Sequence, residues 1–157
     1  MSRITLVGID PGLVHSGAVA LHIDEVTLAW SWTAEALPGN DPVSIKEFIE
    51  RQHADHIFVE AYRERGQVYS TNTAMRQLLY NIKQLVRQAQ VLDNTGVKKV
   101  VTDDLMKLLD VWTFSIKTHH QDLRSAARIA LYGAVKNDEL NQLITRVVMR
   151  QLGLTTP

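Results

Sequence analysis

Three carboxylates stand where apolar sequence does not favour them. Asp10 closes the run Val7-Gly8-Ile9, Glu60 closes Ile57-Phe58-Val59, and Asp122 lies among the buried-looking positions of an alanine-rich segment. A carboxylate beside a buried run is costly unless it is paired or bound to a metal. A site made only of carboxylate oxygens selects hard cations, Mg2+ or Mn2+. Two such ions about 3.5–4 Å apart form the usual clamp for in-line phosphodiester hydrolysis. Each residue also has a plainer use. Asp10-Pro11-Gly12 is a common turn, Glu60 has Arg63 and Arg65 within reach, and Asp122 can cap a helix. Their joint placement at the ends of apolar runs is what singles them out.

The elements that must position them follow from periodicity. Residues 4–9 and 17–23 are β-rich apolar runs. Over 26–33, Val26, Leu28, Trp30 and Trp32 alternate with Thr27, Ala29, Ser31 and Thr33, the period of a strand, with both tryptophans on the core face. Short turns between the three predict an antiparallel meander. Asp41-Pro42 is an N-cap followed by proline at the first helical position, opening a helix over 43–52. Residues 57–59 form a short buried strand. Met75, Leu78, Leu79, Ile82, Leu85, Val86 and Ala89 keep helical spacing, with Ser70, Thr71 or Asn72 as cap. Residues 97–101 read as another strand, and Thr102 caps a short helix. Helices over 122–135 and 138–151 complete the chain. The order indicates one α/β domain over 1–157, its mixed five-stranded sheet combining the meander with parallel strands and flanked by helices. In such sheets, sites form where neighbouring strands end. If the first and fourth strands are adjacent, Asp10 and Glu60 share a crevice, and Asp122 reaches it from a helix above.

The remaining sequence bounds the class. The 157 residues suffice for one core. Absence of cysteine excludes a disulfide scaffold and any cysteine nucleophile or metal ligand. No apolar run is long enough to span a bilayer, and no signal peptide is evident, so the expectation is a soluble cytoplasmic protein with no membrane partner. Net charge is zero but divided: residues 1–60 hold three Lys/Arg against nine Asp/Glu, and residues 61–157 hold fourteen against eight. A basic sector of this kind can bind a polyanion locally.

Gly8-Ile9-Asp10-Pro11-Gly12, followed by Ser16-Gly17, resembles the opening of RuvC-type Holliday junction resolvases, whose first catalytic Asp ends the first strand. Phe58-Val59-Glu60 resembles the second motif, and Ser125-Ala126-Ala127-Arg128-Ile129-Ala130 the last. The resemblance implies an RNase H-like fold, a homodimer of phage or bacterial origin, and Mg2+-dependent nicking of four-way DNA junctions in recombination or repair. Asp10, Glu60 and Asp122 are then the catalytic, metal-binding acids, with Mn2+ able to replace Mg2+. The family places two ligands three residues apart in its last motif. Here these are either Asp122 with Ser125, a weak neutral ligand, or His119 with Asp122. Rival readings are an RNase H-like nuclease for other branched DNA or RNA, and a non-catalytic junction-binding protein.

Arg76, Tyr80, Lys83 and Arg87 form one stripe on the 75–89 helix, opposite the apolar one, which suits phosphates and unstacked bases. Tyr62, Arg63, Arg65 and Tyr69 follow Glu60 in a loop suited to DNA. The family stacks an aromatic residue at the junction centre there, with Tyr62 nearest in register. The resemblance also places Lys107 and Lys117 near the scissile phosphate, and the 72–90 helix in the dimer interface.

Overall fold

The computed structural model describes residues 2–61, 69–114 and 118–154, with the side chains of 69–72 outside the description. Tyr62, Arg63, Arg65, Lys117 and the side chain of Tyr69 therefore lie outside the described residues. The strands are β1 (Arg3–Asp10), β2 (His15–Asp24), β3 (Trp30–Pro38), β4 (His56–Ala61) and β5 (Gln90–Asp93). The helices are α1 (Pro42–Gln52), α2 (Tyr69–Leu85), α3 (Val97–Val100), α4 (Asp103–Leu108), α5 (His120–Val135) and α6 (Asp138–Gln151). They build one mixed sheet in the order β3-β2-β1-β4-β5. β1, β2 and β3 pair antiparallel, and β1–β4 and β4–β5 pair parallel. The expected mixed five-stranded sheet with flanking helices is present.

Strand parity divides the core. Val7, Ile9, Ile57 and Val59 point to one face, where they pack with Ile45, Phe48, Leu78 and Ile82 of α1 and α2. Leu6, Val19, Leu21 and Phe58 point to the other, against Leu123, Ala126, Ala130 and Leu131 of α5 and Leu143 of α6. Because side chains alternate, Gly8 and Asp10 share the α5 face with Leu6, and Glu60 shares it with Phe58. The same parity that buries the apolar runs therefore aims both acids toward α5.

Three glycines let α5 lie close to that face. A Cβ on Gly8 would stand 1.9 Å from the Ala126 carbonyl oxygen, one on Gly17 2.4 Å from that of Asp122, and one on Gly133 2.3 Å from the Phe58 ring. Contacts this short exclude any side chain, so the helix sits at a height and register that only these glycines permit.

Some boundaries differ from the expectations. Residues 97–101 are not a strand: 97–100 form the short helix α3, entered through Gly96 in the left-handed region. Val97 at its start and Val101 at its C-cap are buried, a four-residue spacing that an apolar run does not distinguish from strand. The fifth strand is the mostly exposed β5, which has little apolar signal. The third strand starts later and extends through Pro38. The Asp24 carboxylate accepts from the backbone N–H groups of Val26 and Thr27, and Leu28 has a φ of 61°, so 25–28 is a turn. α2 stops at Leu85, although Val86 and Ala89 remain buried beyond it. Trp30 and Trp32 are partly buried against the core as expected, and their indole N–H groups donate to the carbonyls of Leu109 and Asp110.

Candidate active site

Parallel pairing of Ile9 with Val59 brings the next residues, Asp10 and Glu60, side by side at the carboxyl ends of β1 and β4. Both are buried, at 4% and 7% exposure. The Asp10 carboxyl stands within hydrogen-bonding reach of the Glu60 carboxyl. Glu60 Oε1 accepts from Asn94 Nδ2 at 3.1 Å, while its buried Oε2 has no hydrogen-bond donor among the described residues. Burial raises the Glu60 carboxyl above its ordinary range; the Asn94 amide, the Asp10 contact and the charges of Arg128 and Lys98 oppose the shift.

This pair predicts an unusual stability effect. A carboxyl raised in the folded state contributes stability below its unfolded pKa and loses it as pH rises through the folded one. Replacing it by an amide removes that loss together with the cost of burying the charge. Glu60→Gln is therefore expected to stabilise the protein in EDTA at pH 7 by about 1–3 kcal/mol, the gain shrinking toward acid pH. Urea denaturation across pH checks this; a destabilised variant at pH 7 contradicts it.

Asp122 enters from above. Its backbone lies on Gly17, the residue paired with Asp10 across β1 and β2. Its carboxylate lies 3.5 Å from His119 Nδ1, and the His119 ring lies 4.3 Å from that of His15. Ser125, one turn further along α5, lines a cavity of about 300 Å³ together with Glu60, Asn94, Lys98, Lys99 and Arg128. Of the two partners for Asp122, Ser125 shares a cavity with Glu60, while His119 contacts Asp122 itself.

Among the described residues, no three His, Asp or Glu side chains are grouped as they stand to hold a metal ion. The donor set around the pair nevertheless fits a hard cation: two carboxylates in contact, an orphaned buried carboxylate oxygen, and neutral oxygens at Asn94 and Ser125.

The basic residues fall into two groups. Arg76 and Arg87 are exposed, as is Tyr80. Lys83 donates to the carbonyls of Arg87 and Ala89, closing the C-terminal end of α2. Lys107 is exposed on α4, with its ammonium 4.8 Å from the Trp112 ring centroid, and Arg124 lies over the same ring at 4.0 Å. The apolar stripe of α2 is spent inside the chain: Leu78 and Ile82 are buried, as is Val86 just beyond the helix, and among the described side chains of that stripe Leu85 is the exposed one. Sequence reasoning did not assign site roles to Asn94, Lys98, Lys99, Arg128 and His15. Only the Lys98-Lys99 pair, inside the strand-like run 97–101, carried a local signal. No described helix is long and apolar enough to cross a membrane.

No protein-family model and no curated protein matches the chain. Among solved structures, Thermus thermophilus RuvC in complex with a Holliday junction substrate superposes with a TM-score of 0.62 at 13% identity, covering 98% of this chain and 99% of RuvC. The fowlpox virus resolvase with its substrate Holliday junction DNA matches at TM-score 0.49 and 12% identity, over 90% of this chain and 99% of that one. The fowlpox virus Holliday junction resolvase alone matches at 0.47 and 13%, over 84% and 97%. Sheet order, strand directions and the end-to-end superposition on RuvC together show that this chain has the RNase H-like fold of RuvC.

Proposed function

We propose that the protein is a metal-dependent, structure-specific endonuclease that hydrolyses phosphodiester bonds at four-way DNA junctions. The observation that carries this reading is the buried Asp10–Glu60 carboxyl pair, with Oε2 of Glu60 lacking a donor, at the strand ends of a RuvC fold. RuvC itself was solved with a Holliday junction substrate. Bound Mg2+ or Mn2+ would activate a water and stabilise charge on the scissile phosphate. Asp10 and Glu60 would hold the cation, and Asn94 fixes the Glu60 carboxylate by donating to Oε1. Asp122, in the first turn of α5, supplies a third carboxylate. Lys98 and Lys99, exposed at the cavity, meet the substrate's negative charge. A four-way junction is two-fold symmetric and needs two symmetric cuts, so the active form is a homodimer. Among the described side chains, Tyr80 and Leu85 are the exposed large hydrophobics that α2 offers to its interface.

Cleavage of a synthetic four-way junction, compared with a Y-fork and a linear duplex in Mg2+, Mn2+ and EDTA, tests this reading. Junction-selective nicking that EDTA abolishes is the expected result. Equal nicking of all three substrates points to a broader nuclease. Tight junction binding without cleavage in either ion points to a binding protein, the outcome that a serine at position 125 favours.

The basic stripe gives a finer test. Arg76→Ala and Arg87→Ala are expected to weaken junction binding irrespective of sequence, each lost phosphate contact lowering the salt slope by about 0.9. Lys83→Met should leave that slope unchanged and instead cost about 0.3–1 kcal/mol of stability, because its ammonium serves the helix end. Fluorescence anisotropy over a salt series, paired with urea denaturation, separates the two effects.

A further inference from the structure

Arg128 is a buried cation next to a site expected to bind cations. Its side chain is 7% exposed. It is pinned from behind, with Nη1 donating to the Val101 carbonyl at 2.5 Å and Nη2 to Asp103 Oδ1 at 2.6 Å. It lies one turn beyond Ser125 on α5, and both line the cavity of Glu60.

We propose that the Arg128 guanidinium is a built-in cation of the active site, taking the electrostatic place of a second divalent ion, so that the DNA-free protein binds one ion per chain. The proposal rests on the nuclease reading above. Asp10, Glu60 and Asp122 together bring three negative charges, and Ser125 brings none. One divalent ion and the Arg128 guanidinium offset all three. A second would leave the site strongly positive beside Arg128, with Lys98 and Lys99 on the same cavity. In a half-enclosed site of low effective dielectric, that repulsion is worth more than about tenfold in affinity. Arginine suits the role because its charge does not titrate and its planar fork is held in place by two acceptors. A charge fixed in advance stabilises a phosphate without reorganising during the reaction. Substrate phosphate is then drawn by a fixed guanidinium and one ion instead of by two ions.

Calorimetric titration of the DNA-free protein with Mn2+ tests this, read beside junction cleavage. The wild type should bind one Mn2+ per chain, and Asp10→Asn should remove that binding. Arg128→Met should bind Mn2+ about tenfold tighter or gain a second site, yet cleave more slowly at saturating Mn2+. Arg128→Lys keeps the charge and should keep the wild-type stoichiometry. Asp103→Asn unmasks the guanidinium and should weaken Mn2+ binding about two- to threefold, a modest effect because Asp103 is exposed. Arg128→Met and Asp103→Asn break the same tie, so a purely structural role moves both in one direction. Opposite shifts support the proposal; shifts in one direction, no shift, or two Mn2+ ions in the wild type overturn it. If Arg128→Met does not fold, Asp103→Asn and Arg128→Lys still decide. An Asp10→Asn isotherm identical to the wild type overturns the metal site itself, and this proposal with it.

Discussion

Asp10→Asn is expected to lower junction cleavage by at least about a hundredfold, the scale of losing one electrostatic group at a reacting phosphate, while junction binding stays equal or tightens. The two halves of this result have one cause. Asp10 and Glu60 meet side by side at buried strand ends, so two carboxyl groups stand where a phosphate must come. Removing one charge removes a metal ligand and some repulsion of DNA together. The substitution keeps side-chain volume, and Asp10 sits at the end of β1, where its backbone pairs with Gly17 in either variant, so folding is preserved. Nicking rates at saturating Mg2+, with binding measured in Ca2+ or EDTA, check both halves. A variant cleaving within about threefold of wild type would mean the carboxyl pair is not the centre.

Asp10 and Glu60 were legible because their signal is local: an acid closing an apolar run needs explaining in the sequence itself. Parity then places them on one face once β1 and β4 are neighbours, a condition that the sequence leaves open and the parallel pairing of the two strands meets. Asp122 was visible as an acid in an alanine-rich helix. Its setting beside His119 and His15 was not, because His15 lies at the start of β2 and reaches α5 only through the fold. Arg128 reads as a polar interruption of an apolar helix face; its acceptors lie 25 and 27 residues away, beyond any periodicity. Asn94 was hidden because it directly follows β5, a short and mostly exposed strand with little sequence signal. The apolar stripe of α2 was read correctly as far as Ile82, but a stripe does not say whether a core or a partner covers it. Here α1 and the sheet cover most of it.

The largest effect on folding is expected at Gly8. A methyl group there would overlap the carbonyl oxygen of Ala126 at 1.9 Å and the Ala130 side chain at 2.9 Å. The first obstacle is backbone within a helix and has no rotamer to escape by. Gly8→Ala therefore forces α5 away from β1, at a cost of about 3 kcal/mol, the upper range for overpacking a core. Gly153→Ala is the contrasting case. Its φ of 74° strains an alanine, but nothing lies within 4 Å of the new atom, so about 1 kcal/mol covers the change. Urea denaturation of both variants separates steric from conformational cost. Activity should follow the steric one. Asp122, Ser125 and Arg128 all ride on α5, so a shift of about 1 Å displaces three site residues at once, enough for roughly a hundredfold loss of cleavage in the fraction that stays folded. Should Gly8→Ala fold with wild-type stability, α5 has slack against the sheet, and the glycines do not set the height of the site.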